Sequence, residues 1–177
     1  MALDVSLANT GWAVVEADGN FPEKLLAGDC IKTTPDPREK TKGADAIRRV
    51  AEIVRGLHLA IMHYRPVLLV AELPYGSKDA SSAVAQGICY GVVGSVRQLL
   101  GIPLHETTPQ AGKAAVAGKQ NASTDAVQAA VLELWPEAGT WGGRRGNGWE
   151  HVADALAALV ASRTSDLYRM AARSEKG

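Results

Sequence analysis

The stretch that decides the fold is Met1-Ala-Leu-Asp-Val-Ser-Leu-Ala-Asn-Thr-Gly-Trp-Ala-Val-Val-Glu16. Two apolar runs, Ala2 to Leu7 and Gly11 to Val15, flank Ala8-Asn9-Thr10. The pattern predicts two strands joined by a tight turn, with Asn9 and Gly11 as turn residues. Asp4 interrupts the first run. Burying an unpaired carboxylate is costly or shifts its pKa. Asp4 therefore either lies at a strand edge facing water or has a partner: a cation, a metal ion or a hydrogen-bond network.

Outward from that hairpin, Asp18-Gly19-Asn20 marks a turn, and Lys24 to Lys32 reads as a third strand. Thr33 to Gly43 is polar, holds Pro35 and Pro37, and with Lys32, Arg38, Lys40 and Lys42 reads as a basic loop or a solvated linker. Ala44 to Tyr64 is predicted helical, with Ile47, Val50, Val54, Leu57 and Ile61 on one stripe and Arg48, Arg49 and Arg55 off it. Pro66 to Glu72 carries an unbroken apolar run, the pattern of a central strand covered on both faces. Its last residue is an acid, Glu72. The carboxyl end of a central strand is where open α/β sheets hold their sites, although an ordinary strand-end carboxylate reads the same way.

Leu73 to Gly76 is a short loop, and Ser77 to Leu100 a helix rich in small residues, including Gly87, Gly91 and Gly94. Each interior glycine costs about 1 kcal/mol relative to alanine. Such a stripe implies close approach of another backbone, either the sheet or a second subunit. Ile102 to Glu106 reads as a strand. Thr108-Pro109 opens a helix to about Val116, and Ser123 or Thr124 caps the next, which buries Val127, Val131 and Leu134 and ends at Pro136. Trp141 to Trp149 is a glycine-arginine segment, suited to a phosphate backbone or to plain surface. One long helix is expected from Glu150 to Ala172, with Val152, Leu156, Leu159, Val160, Leu167 and Met170 inward. His151 and Asp154, three residues apart, share its first turn.

The chain of 177 residues fits one domain, 1–177, with a substantial core. With 19 basic and 19 acidic residues, it lacks the overall positive charge common in phosphate binders, but a local basic face suffices. Cys30 and Cys89 lack metal-site spacing and fit a reducing cytoplasm. No secretory leader is legible, and no run reaches the roughly 18–20 apolar residues that cross a bilayer. No membrane partner is expected.

Asp4, Glu72, His151 and Asp154 thus form the candidate site. Three carboxylates and an imidazole, if brought together, suit hard divalent cations such as Mg2+ or Mn2+. Two such ions can activate water and stabilise the leaving oxygen in phosphodiester cleavage.

These motifs resemble those of the RuvC family of Holliday-junction resolvases. Asp4-Val-Ser-Leu-Ala-Asn-Thr-Gly-Trp-Ala-Val-Val is similar to the family's opening, Asp-Pro-Gly-Leu followed by Thr-Gly-Trp-Gly. Glu72 resembles the second family acid. Thr107-Thr-Pro-Gln-Ala-Gly-Lys113, continuing to Gly118, resembles the segment Thr-Pro-x-x-Val-Lys-x-x-Val-x-Gly. His151-Val-Ala-Asp-Ala-Leu-Ala157 resembles the last motif. The order is right over about residues 2 to 161.

The resemblance implies an α/β, ribonuclease-H-like fold: a five-stranded mixed sheet, its first three strands antiparallel, with helices on both faces. It implies a homodimer that binds a four-way junction or related branched DNA and makes paired symmetric nicks, leaving 5'-phosphates. Asp4, Glu72, His151 and Asp154 take the catalytic and metal-binding roles, with Mg2+, two ions per site, and Mn2+ as a substitute. Tyr75 takes the place of an aromatic wedge at the junction centre, and Lys113 that of a basic residue near the scissile phosphate. The setting implied is the bacterial or phage-infected cytoplasm, at the nucleoid.

The departures are specific. Val5-Ser6 replaces Pro-Gly, and Thr124 stands where many members carry a second lysine; Lys119 or the pair Arg144 and Arg145 are the substitutes to consider. Such differences fit a divergent, phage-type member with broader branched-DNA substrates. The competing readings are a ribonuclease-H-like nuclease on RNA–DNA hybrid, flap or fork DNA, and a non-catalytic junction binder. An actin-like sugar kinase also opens on a strand-borne Asp, but needs about twice the length. The Thr-Pro…Lys segment favours the junction enzyme, and the filled acid positions favour catalysis.

Overall fold

A computed structural model of the chain describes residues 1–17, 21–77, 79–140 and 148–174. The elements are β1 (Ala2–Val5), β2 (Asn9–Glu16), β3 (Lys24–Lys32), α1 (Lys42–Tyr64), β4 (Leu69–Glu72), α2 (Ala80–Leu100), β5 (Leu104–Thr107), α3 (Pro109–Ala117), α4 (Thr124–Leu134), a short 3-10 turn (Pro136–Thr140), α5 (Trp149–Ser162) and α6 (Asp166–Ser174). The strands form one sheet in the order β3-β2-β1-β4-β5. The first three are antiparallel, while β4 runs parallel to both β1 and β5, as expected.

Strand alternation divides the interior in two. Leu3, Val14, Leu69 and Ala71 face α1 and α2, packing with Ile53, Leu57, Val92, Val93 and Val96. Ala2, Ala13 and Val70 face the other way, onto α4 and α5, with Val127, Val131, Val152 and Leu156. Helices therefore cover both faces. Asp4 shares the parity of Ala2, and Glu72 that of Val70, so both acids belong to the α5 side of the sheet, near the carboxyl ends of two interior strands.

Several expectations need correction. The predicted helix from 150 to 172 is two helices. Ser165 breaks the run by capping α6: its Oγ accepts from Tyr168 N at 3.1 Å, and its own N–H donates to Ser162 O at 2.8 Å. Leu167 and Met170 consequently face solvent, Met170 at 67% exposure, and not the core. The buried stripe of α1 is also rotated. Ile47 is 74% exposed, whereas Arg49, read as lying off the stripe, is buried. The reason is polar: Arg49 Nε donates to Thr33 Oγ1 at 2.8 Å and its Nη2 to Leu7 O at 3.0 Å, tying α1 to the end of the β1–β2 turn. That turn spans residues 6–8, since Asn9 and Gly11 already belong to β2. At the Val5-Ser6 departure from the resembled Pro-Gly pattern, Ser6 supplies the bend: its Oγ donates to Asn9 O at 2.6 Å and accepts from Asn9 N at 3.0 Å. The glycines of α2 do not meet the sheet, for a Cβ added at Gly87, Gly91 or Gly94 would find nothing within 4 Å. The turn expected at Asp18-Gly19-Asn20 lies outside the described residues.

Candidate active site

The parallel pairing of β1 and β4 puts Asp4 directly beside Glu72, as partners in the ladder. On the next strand, Gly11 is the partner of Asp4, and Cys30 the partner of Gly11. Gly11 decides what can sit above this row. A Cβ there would lie 2.2 Å from His151 O and 2.3 Å from His151 C, both backbone atoms. Only glycine lets the first turn of α5 rest directly on β2. Gly148, just before α5, has a φ of +95° and lies so close to Cys30 that a Cβ would be 2.7 Å from the Cys30 Sγ. The helix that carries His151 and Asp154 is thereby seated over the acid of β1.

Contact follows from that seating. His151 Nδ1 donates to Asp4 Oδ2 at 2.6 Å, and its Nε2 lies 3.5 Å from Glu150 Oε1. The imidazole is thus held between two carboxylates. Its pKa is raised, first by the hydrogen bond to Asp4, against an opposing effect of burial. Glu72 is 9% exposed. Burial, then the charges of Asp4 and Asp154, push it from 4.5 to about 8. Asp154 rises from 3.8 to about 6, chiefly by burial and next by the charge of Asp4. Lys113 of α3 opposes both shifts, so its ammonium lies within the field of the cluster.

Asp4, Glu72, His151, Asp154 and Lys113 therefore converge at one end of the sheet, although Asp4 and His151 are 147 residues apart in the chain. Among the described residues, no three carboxylate, imidazole or thiol side chains are already drawn into a metal cage. The donor chemistry nevertheless fits a hard divalent cation. Hard oxygen ligands are present, and two of the three acids have raised pKa values that a positive ion would relieve. Tyr75 follows Glu72 on the loop after β4 and is 77% exposed. Lys119 is exposed past the end of α3, with nothing among the described residues that joins it to the cluster. Arg144 and Arg145 lie outside the described residues.

Sequence reasoning missed three contributors. Glu150 was passed over, although it adjoins His151. Gly11 was read as a turn residue, whereas a glycine inside a strand signals close backbone approach. Cys89 of α2 lines, with Asp4 and Glu72, a cavity of about 430 Å3 that also takes in Gln86 and Tyr90. Both cysteines are free, and burial pushes each thiol up to about 11.

A family model described as crossover junction endodeoxyribonuclease RuvC matches residues 1–161. The protein of that name from Moorella thermoacetica is 31% identical over 165 residues, which cover 90% of this chain and 87% of that one. The namesake from Methylobacterium radiotolerans is 29% identical over 169 residues, 96% of this chain and 73% of the other. Among solved structures, T. thermophilus RuvC in complex with a Holliday junction substrate superposes with a TM-score of 0.71 at 26% identity, covering 90% of this chain and 89% of that chain. A structure of Thermus thermophilus RuvC gives 0.69 at 25% identity, with 96% and 93% covered. Helix α6 lies past the residues that the family model matches.

Proposed function

The chain belongs to the RuvC family of crossover junction endodeoxyribonucleases, and from that premise we propose that Asp4, Glu72, His151 and Asp154 are the metal-binding, catalytic set with which it nicks the two like strands of a four-way or related branched DNA junction. The observation that carries this reading is the ladder pairing of Asp4 with Glu72 beneath the His151–Asp154 turn. The cation is Mg2+, two ions per site, with Mn2+ able to replace it.

Bound there, divalent ions supply Lewis-acid stabilisation of the phosphate and a water more acidic than bulk water. The chain's own groups do the rest. Asp4 and Glu72 present side-by-side oxygen donors from a rigid sheet, and Asp154 and His151 close the site from α5. With its Nδ1 bonded to Asp4 Oδ2, His151 is oriented by that carboxylate and keeps Nε2 as the nitrogen available to a cation. Lys113 offsets the excess of negative charge and contacts the scissile phosphate. Tyr75 stacks on bases opened at the crossover, an interaction worth about 1–3 kcal/mol per base. Lys119 and, in the glycine-arginine segment, Arg144 and Arg145 bind the DNA backbone.

Two copies associate through α2, whose glycine stripe is open to close approach, and the two-fold axis matches a junction with two equivalent strands. One domain carries the whole activity, in the cytoplasm of a bacterium or of a phage-infected cell. No described helix is long and apolar enough to cross a membrane.

Asp4→Asn tests the assignment. Gel-shift affinity for a four-way junction is expected to stay close to wild type, while Mg2+-dependent nicking falls by more than the ~10–100-fold that loss of a residue merely supporting a metal ligand costs. Full nicking by that variant would refute the assigned centre.

A further inference from the structure

The loop that carries Tyr75 has no regular structure of its own, yet its backbone is held from one side. The Gln86 side-chain amide donates to Pro74 O at 3.1 Å and to Gly76 O at 3.0 Å, the carbonyls on either side of Tyr75. The Tyr90 hydroxyl, one turn further along α2, donates to the same Pro74 O. Three hydrogen bonds from two neighbouring α2 side chains thus bracket a single residue. Tyr75 itself is left 77% exposed. Its neighbours Leu73 and Cys89 are buried, so both the base of the loop and the helix behind it are anchored in the core.

We propose that Gln86 and Tyr90 are positioning residues, a polar clamp that fixes the loop so that the Tyr75 ring stands outward beside the catalytic cavity. The inference rests on the reading of Tyr75 as the residue that opens the junction centre. The chemistry of the clamp is specific. Both loop groups are carbonyl acceptors, so only donors can hold them. Glutamate at position 86 would keep the shape and, once ionised, turn two attractions into repulsions. Without the clamp, each junction that binds must pay the ordering entropy of the loop again before the ring can enter. Affinity set by phosphate contacts would be spared, and opening of the crossover would not.

The test is a four-way junction with 2-aminopurine at the crossover, bound in EDTA so that no strand is cut. Fluorescence reports base unstacking, and anisotropy of a distal label reports affinity. Wild type is expected to raise the 2-aminopurine signal. Gln86→Glu with Tyr90→Phe should lose most of that rise and slow Mg2+-dependent nicking about 5- to 30-fold, as the loss of two or more hydrogen bonds implies, with affinity changed less than about twofold. Gln86→Lys, which restores N–H donors, should recover the signal. The clamp is overturned if the double variant keeps the wild-type rise while Tyr75→Ala loses it. If Tyr75→Ala keeps the rise as well, the wedge reading itself fails and the clamp falls with it. A circular dichroism melt of each variant separates these outcomes from unfolding, and a loss of signal that merely tracks lost fold in the double variant, without rescue by Gln86→Lys, also counts against the clamp.

Discussion

At the scale of single residues, the site depends on one absence and one excess. The absence is the side chain of Gly11. Adding one methyl would drive it into the backbone of His151, which cannot yield as a flexible side chain would. Gly11→Ala should displace the start of α5, cost about 1–3 kcal/mol of stability as overpacking does, and reduce nicking by at least an order of magnitude; urea unfolding and a cleavage time course read the two effects. The excess is negative charge. Glu72, raised to about 8, and Asp154, raised to about 6, both bind protons more tightly folded than unfolded. The sign follows: between the unfolded values and the folded ones the native state holds more protons, so stability falls as pH rises. His151, also raised, adds in the same direction, its contribution present at low pH and lost as pH climbs through its folded value. In EDTA the unfolding free energy should therefore decline from about pH 4.5 to pH 8, by up to about 1.4 kcal/mol per pH unit for one proton, and the melting temperature should fall with it. Glu72→Gln should flatten the decline. A melting temperature in EDTA that rises over this range would contradict the reading.

At the scale of elements, α5 and α2 divide the labour. α5 is almost wholly buried and brings its first turn onto β2. Its apolar run and the paired His151 and Asp154 were plain in the residue pattern, because burial and helical period coincide there. Its end was not, because the break at Ser165 is made by hydrogen bonds that a hydrophobic stripe does not record. Arg49 misled for the same reason: a charged side chain reads as solvent-facing until the carbonyl it holds, that of Leu7, is known. α2 shows the reverse case. The glycine stripe was legible, but which partner it awaits was not, and among the described residues nothing lies within 4 Å of a Cβ added there. This gives an unusual expectation for Gly91→Arg. The substitution meets open space in the monomer and favours the helix intrinsically by roughly 1 kcal/mol. The monomer should be no less stable, while sedimentation shifts from dimer to monomer and paired nicking becomes single and unpaired. A Gly91→Arg variant that remains dimeric would remove α2 as the interface.

At the scale of the whole molecule, the sheet is what turns scattered residues into a site. The parallel pairing of β1 with β4 places the acid of an N-terminal strand next to one from mid-chain, and the crossing of α5 adds a pair from near the other end. Strand identities, their mixed directions and the helices on both faces could be expected from the residues and from the family resemblance. Distances could not, since they depend on register and on the depth at which α5 sits, which Gly11 sets. The most direct measurement compares a four-way junction with a linear duplex of the same sequence, in Mg2+, on a denaturing gel. The expected result is paired, symmetry-related nicks in the junction, each leaving a ligatable end, with the duplex left intact over the same period. Equal cutting of junction and duplex, or no cutting of either, would contradict it.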